Sequence, residues 1–397
     1  MVAGNKCKGK LRFKFQNSHF SNKVIMPMGT TDAFLMLPTK AIQQYLHSLL
    51  GEQVEILNVW KLGDTPGTLA ELKGIACGYP YVIEFKTKEK TRRVILQTIR
   101  PTDQFGHNNF SDRAQILIWQ NSAFNKLPRH VHSVDVGAFE SGGQLKSVGR
   151  GNEFFILTDF VEGKLYSSDL DRIKAGLLSE FDEMRCLALS DYLVDIHKTR
   201  FNSPSLYVRR MRDLVGHGEC IMGLLDSYPR EFAYVNKSYF MDIEKDCVDW
   251  RWKLKTKTHR LCQIHGDFHP WNILFREGAD FTVLNRSRGE WGEPADDLAA
   301  LSINYLFYSL QKHGELNGVF ERLFWLFWQN YLHKTGDAEV LEVIAPFYAW
   351  RALVVASPIL YPNSSVDVRV KLLKFAKNVL KDDRFDWLDV NSYFNTI

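Results

Sequence analysis

Cysteine is scarce and scattered. The six cysteines, Cys7, Cys77, Cys186, Cys220, Cys247 and Cys262, show no CxxC spacing, which argues against a structural zinc site and a disulfide scaffold and fits a reduced intracellular chain. No apolar run approaches the ~18 residues of a membrane span. The stretch 341–360 is broken by Glu342, Arg351 and two prolines. No apolar leader core opens the chain, so a cytoplasmic location and no membrane partner are expected. A GxxxxGK[ST] phosphate loop is missing too. Charge of one sign is nearly absent as a surplus: the net value is +4 over 397 residues, and no nucleic-acid partner is expected from it. Acidic residues are missing from the first 23 positions, which carry Lys6, Lys8, Lys10, Arg12, Lys14 and Lys23. That segment is either a flexible basic tail, a strand joining the N-terminal sheet, or a weak anion-binding arm.

What is present suits an enzyme-sized protein of two lobes: 45% of residues are hydrophobic and 13% aromatic, enough for a substantial core. Apolar spacing predicts a helix over 39–50 and strands over 54–62, 81–87 and 93–99, with a charged hairpin tip at 86–93. The stretch 63–78, GDTPGTLAELKGIACG, is either a loop that folds over a phosphate or a plain surface excursion. A helix is expected over 111–125 with Ser111 as its N-cap, and a buried strand over 154–160. From 182 onward the period turns helical, over 182–197, 205–225, 297–310, 318–334, 338–361 and 366–381. The aromatic stripe Phe320, Phe324, Trp325, Phe327 and Trp328 is expected to be core.

The chemistry concentrates at 262–275, CQIHGDFHPWNILF, where two apolar stretches flank a polar centre, as in a strand-loop-strand presenting side chains at a cleft. Asp267 and Asn272 are five residues apart, the interval between Asp and Asn in the HRDxxxxN loop of protein kinases. Asp267 can accept the proton of an attacking hydroxyl, and Asn272 can offer an amide oxygen to a divalent cation on nucleotide phosphates. Asn285 follows Asp267 by eighteen residues, where a first metal ligand is expected. His265 and His269 make a poor metal pair, because Pro270 interrupts any helix that would stack them. Asp296 and Asp297 are expected to cap the helix that follows, and His197 to be a satisfied core or loop histidine.

HGDFHPWNILF, together with FTVLNRSRGEWGEPADDLA over 281–299, resembles the aminoglycoside phosphotransferase family and its relatives among small-alcohol and amino-acid kinases. FFILTDFVEGKLYSSDL over 154–170 is similar to the family's hinge, and LALSDYLVDIH over 187–197 to the helix before its substrate-binding insertion. The resemblance implies an α+β, protein-kinase-like bilobal fold, with a small mixed N-terminal lobe built on an antiparallel sheet and a larger, mainly helical C-terminal lobe. The implied divisions are a basic extension over 1–38, a nucleotide-binding-like lobe over 39–160 and a helical lobe over 161–397. By the same resemblance Asp267 is the base, His265 shapes the loop, Asn272 and Asn285 stand at the metal positions, Asp297 is a helix cap, and adenine meets Asp159, Phe160 and Val161. ATP and Mg2+ are the implied cofactors, and a small-molecule hydroxyl is the implied acceptor.

Two positions depart from the family. Gln97 stands where a lysine would grip the phosphates, and Asn285 where an aspartate would hold the metal. Trp271 replaces a usual glycine and either narrows the cleft mouth or packs under the loop. Asp280, Glu290 and Glu293 are the acids in reach of a rearranged metal site, and the arginines of the RRMR run at 209–212 either favour an anionic acceptor or form a solvated helix face. Two functions stay open: an ATP-dependent phosphotransferase of weak activity acting on a small-molecule hydroxyl, or an inactive pseudokinase-like binding or regulatory protein. Oligomeric state is left open.

Overall fold

The computed structural model describes residues 38–61, 78–99, 101, 107–126, 131–140, 143–149, 151, 156, 158–229, 232 and 234–395. The basic N-terminal segment and the glycine-rich stretch up to residue 77 lie outside them. The chain divides into two compact units, one of Met1–Arg100 with Phe110–Phe154 and the other of Pro101–Asn109 with Phe155–Ile397.

In the first unit, α1 (Thr39–Leu50) precedes β1 (Glu55–Lys61), β2 (Gly78–Lys86) and β3 (Thr91–Ile99), which form an antiparallel sheet in the order β1-β2-β3. The expected helix and three strands are all present, and the hairpin tip tightens to the residues between Lys86 and Thr91. α1 stops at Gly51, whose φ of 71° no β-carbon opposes, and the Gly51 N–H closes on His47 O. Ile42 and Leu46 of α1 bury against Val54, Ile83 and Phe85. Five such side chains contribute on the order of 10 kcal/mol of apolar burial, a thin core for a unit of this size. The rest of the unit is α2 (Phe110–Phe124) and the small hairpin of β4 (Gly137–Phe139) and β5 (Leu145–Ser147). Because α2 begins at Phe110, Ser111 lies inside its first turn and is not the N-cap.

The second unit carries the main core. It begins with β6 (Lys164–Leu165), α3 (Tyr166–Lys174), α4 (Phe181–His197), α5 (Pro204–Gly216), α6 (Ile221–Asp226) and α7 (Lys237–Leu254). Short strands follow: β7 (Cys262–Gln263), β8 (Ile273–Phe275), β9 (Phe281–Val283) and β10 (Trp291–Gly292). Helices complete it: α8 (Pro294–His313), α9 (Gly318–Thr335), α10 (Val340–Val343), α11 (Ala345–Ala356), α12 (Val366–Asn378) and α13 (Ser392–Asn395). This is the α+β plan expected from the sequence, a small antiparallel sheet in one unit and mostly helix in the other.

α8 is the central helix. It is buried almost throughout from Pro294 to Leu310, and a helix apolar on all sides belongs inside. Ser302 Oγ lies 2.6 Å from Leu298 O and from the Tyr348 hydroxyl, and Asn304 Nδ2 donates to Ala300 O at 2.8 Å while its Oδ1 is buried without a partner. The aromatic stripe of α9 is core, with Phe320, Phe324, Phe327 and Trp328 buried and Trp325 alone turned outward.

Three expectations are corrected. The helix expected over 205–225 is two, α5 and α6, because His217 between Gly216 and Gly218 adopts an extended backbone and breaks the hydrogen-bond ladder. That expected over 338–361 also divides, since Pro346 starts α11 afresh and the helix ends at Ala356, two residues before Pro358. The buried strand expected over 154–160 is not found among its described residues: Ile156 and Phe160 are 86% and 89% exposed and in no regular element. The hydrophobic run alone could not distinguish a core strand from an exposed connection.

Candidate functional site

The loop 264–272 is held from both sides by backbone pairing. β7 pairs antiparallel with β10, and β8 pairs with β6 and β9. Between them the chain turns at Gly266, whose φ of 83° suits glycine and leaves its carbonyl facing two arginines. The fully buried Asp297 carboxylate anchors this turn, accepting the N–H of His265 and of Gly266 at 2.7 Å each. Asp297 therefore caps the loop and not its own helix, where Glu293 occupies the N-cap position and Pro294 the first turn. His197 Nε2 lies 3.2 Å from the same carboxylate and Nδ1 lies 2.9 Å from the Tyr331 hydroxyl, so this histidine is buried and satisfied. Burial would raise the Asp297 carboxyl, but the hydrogen bond and charge of His197 bring it below its ordinary value.

Asp267 sits on the far side of that turn. Its Oδ1 receives Arg351 Nη1 at 2.7 Å and Arg288 Nη1 at 3.3 Å. Its Oδ2 has only longer contacts, Asn272 Nδ2 at 3.2 Å and His269 Nε2 at 3.4 Å. Burial pushes the carboxyl up, yet His269, Arg351 and Arg288 together hold it well below the usual carboxylate range. His269 Nδ1 accepts the Trp271 N–H at 3.2 Å, and its Nε2 lies 3.0 Å from Asn272 Nδ2 and 3.4 Å from Asp267 Oδ2. His265 is buried, accepts the Asp267 N–H on Nδ1 at 3.2 Å, and is lowered in basicity chiefly by burial. It shapes the loop and does not reach the Asp267 carboxylate.

Asn272 joins the cluster to the second strand pair. Its Nδ2 donates to Asp267 O at 2.9 Å, an acceptor only, which orients the amide. Its Oδ1 then accepts Asn285 Nδ2 at 2.8 Å. Asn285 has φ 59°, the only positive value among described residues other than glycine. A short amide side chain is among the few that adopt this left-handed conformation readily.

Asp267, His265, Asn272 and Asn285 thus come together in one unit. Asp159, Phe160 and Val161 lie in the same unit in an irregular, largely exposed segment before β6, without a hydrogen bond to this cluster among the described residues. Gln97 belongs to the other unit, on the exposed face of β3 with Arg93 and Ile95. Arg93 is paired with Glu84 at 2.7 Å, so it does not substitute for the missing lysine there. Asp280 pairs with Arg276, and the buried Glu293 receives Arg260 and the Tyr207 hydroxyl at 2.8 Å, so neither acid turns toward Asn285. Trp271 packs edge-on to Tyr361, 5.7 Å between rings.

The residues present do not fit a magnesium ion held by the chain. Asn272 Oδ1 is engaged by Asn285, both metal positions are neutral amides, and one oxygen of Asp267, Oδ1, is committed to arginine. No cluster of three His, Cys, Asp or Glu with metal-binding geometry occurs among the described residues. The described cysteines Cys186, Cys220, Cys247 and Cys262 are buried, and burial pushes their thiols up, which keeps them unreactive. No described helix is long and apolar enough to cross a membrane.

Sequence spacing missed Arg288 and Arg351. Arg351 also reaches Asp296 Oδ1 at 2.7 Å and Gly266 O at 3.2 Å, and its side chain is 5% exposed. A single arginine inside the otherwise apolar helix α11 was the available signal, since a buried cation requires an anion.

No family model matches the chain, and no curated protein matches it. Among solved structures it is similar to an amicoumacin kinase in complex with AMP-PNP, Ca2+ and Ami, at 14% identity over 79% of this chain and 90% of that one, TM-score 0.38. It is also similar to an ethanolamine kinase of Plasmodium vivax, at 15% identity over 87% of this chain and 81% of that one, TM-score 0.33. A third likeness is to APH(2″)-IIa complexed with gentamicin, at 12% identity over 87% of this chain and 96% of that one, TM-score 0.31. Likeness at this level assigns no role to any residue here.

Proposed function

We propose that this chain is an ATP-dependent phosphotransferase that acts on a hydroxyl of a small molecule, with weak turnover. The reading rests on one observation, the unequal engagement of the two Asp267 oxygens. Arg351 clamps Oδ1 at 2.7 Å, whereas Oδ2 keeps only contacts of 3.2 Å and longer on a side chain that is 17% exposed. An acceptor hydroxyl would donate to Oδ2 and be held in line for attack. Phosphoryl transfer passes through a loose transition state, so the proton moves late and orientation outweighs basicity. A carboxylate kept ionised and immobile suits that task despite its low proton affinity.

The neutral pair Asn272 and Asn285 favours the second reading, a non-catalytic binding protein of the same architecture. Its two amides satisfy one another without a cation.

Transfer of the ATP γ-phosphate to a panel of polyols, amino alcohols and hydroxy acids separates the two. Slow turnover that disappears in Asp267→Asn and rises at least ~10-fold in Asn285→Asp supports the phosphotransferase. Turnover absent from both the native chain and Asn285→Asp supports the binding protein.

A further inference from the structure

Arg288 and Arg351 approach the same carboxylate but are held very differently. Arg351 makes two contacts of 2.7 Å, to Asp267 and Asp296, within the range of strong charge-assisted bonds. Arg288 reaches Asp267 Oδ1 only at 3.3 Å, Gly266 O at 3.4 Å and Glu219 at 3.7 Å. Glu219 is 65% exposed, so its pull is weakened by water. Yet the Arg288 side chain is only 21% exposed, and its Nε, like that of Arg351, is buried without a partner. A largely desolvated guanidinium with no close anion of its own is incompletely compensated.

A second guanidinium lies against the backbone of the residue that follows it. Arg210, from the RRMR run, donates from Nε to Trp291 O at 2.8 Å, and its Nη2 would stand 2.2 Å from a β-carbon at Gly289, the residue after Arg288. The aromatic surface nearby is taken. Arg288 and Arg351 both lie over the Trp350 ring, at 4.5 and 3.9 Å from its centre, leaving it poorly placed to receive a cationic acceptor.

We infer that Arg288 receives an anionic group of the acceptor, a carboxylate or a phosphate monoester, a few bonds from the hydroxyl that Asp267 orients. This inference rests on the phosphotransferase reading for the role of Asp267, but the binding it describes does not require turnover. Its consequence is specificity: hydroxy acids or hydroxyalkyl phosphates bind, and polyols and amino alcohols of the same size do not.

Equilibrium binding of glycerate, glycerol 3-phosphate, glycerol and choline, followed by NMR line broadening at 150 mM salt, on the order of the physiological value, tests it. One or both anions should bind at least ~10-fold tighter than glycerol and choline, and the stronger anion identifies the group as carboxylate or phosphate. Arg288→Gln should abolish the preference, while Arg288→Lys, which keeps the charge, should retain part of it. Circular dichroism melts establish that both variants fold. The inference fails if neither anion binds, if choline or glycerol binds equally well, or if Arg288→Gln keeps the anion preference. Binding as described without phosphate transfer to any acceptor would overturn the phosphotransferase reading alone.

Discussion

The side-chain amide of Asn285 donates to the amide oxygen of Asn272 at 2.8 Å, so the two positions expected to grip a metal grip each other. Replacing Asn285 with aspartate removes the donor and sets a carboxylate against an acceptor oxygen. Without a cation, Asn285→Asp should lose about 1 kcal/mol, the net worth of one hydrogen bond. With magnesium and ATP it should regain that and more. Thermal melts with and without Mg2+ and ATP check this, and a magnesium-dependent shift already present in the native chain would contradict it.

The left-handed backbone at Asn285, φ 59°, makes a separate demand. Asn285→Gly loses one hydrogen bond but no backbone comfort, so its cost should stay near ~1 kcal/mol. Asn285→Val should lose a further 1–2 kcal/mol, roughly, from β-carbon crowding in that conformation. Urea denaturation of the two variants side by side gives the difference; equal midpoints would show that the turn relaxes.

Arg351 links two largely buried carboxylates, Asp267 and Asp296, and is itself 5% exposed. Arg351→Met should destabilise the protein by about 3–5 kcal/mol, because it leaves buried charge uncompensated. Adding Asp296→Asn to that variant should recover part of the loss, since burial already raises the Asp296 carboxyl above its ordinary value. A loss below about 1 kcal/mol in chemical denaturation would place the pair among ordinary surface bridges.

Acid should weaken a second network. Burial raises the Glu339 carboxyl, but hydrogen bonds from Lys257, His259 and Arg260 bring it down to about 2. A depressed carboxyl contributes stability above its unfolded value, ~4.3, and that contribution is lost as pH falls toward the folded one. Melting temperature should therefore drop between pH ~4.3 and about 2, with Glu339→Gln flattening the drop. An unchanged slope in that variant would assign the acid sensitivity elsewhere, Asp267 first.

The residues of the 264–272 loop were legible because their contacts are local. The five-residue interval between Asp267 and Asn272 is closed by the amide of Asn272 on the Asp267 carbonyl at 2.9 Å, and Pro270 makes the turn tight. Strands β1 to β3 were equally plain; the short pair β4 and β5 was not expected. The helix breaks at His217 and ahead of Pro346 were not, because apolar periodicity runs through both. The burial of the segment at 154–160 was misjudged for a related reason: an apolar run states a preference for burial and names no partner to supply it.

By itself the sequence determined the loop, its orienting asparagine, and the neutral side chains at Gln97 and Asn285, since these depend on residue identity and short spacing. Only the tertiary structure decided how the Asp267 carboxylate is held. Arg351 lies 84 residues beyond Asp267, and Asp297 reaches back 32 residues to the His265 N–H. Coulombic and hydrogen-bond energies fall with distance in space and not with distance along the chain. Which cation meets which carboxylate was therefore decided by the packing of α8 and α11, and with it the division of Asp267 into one clamped oxygen and one open oxygen.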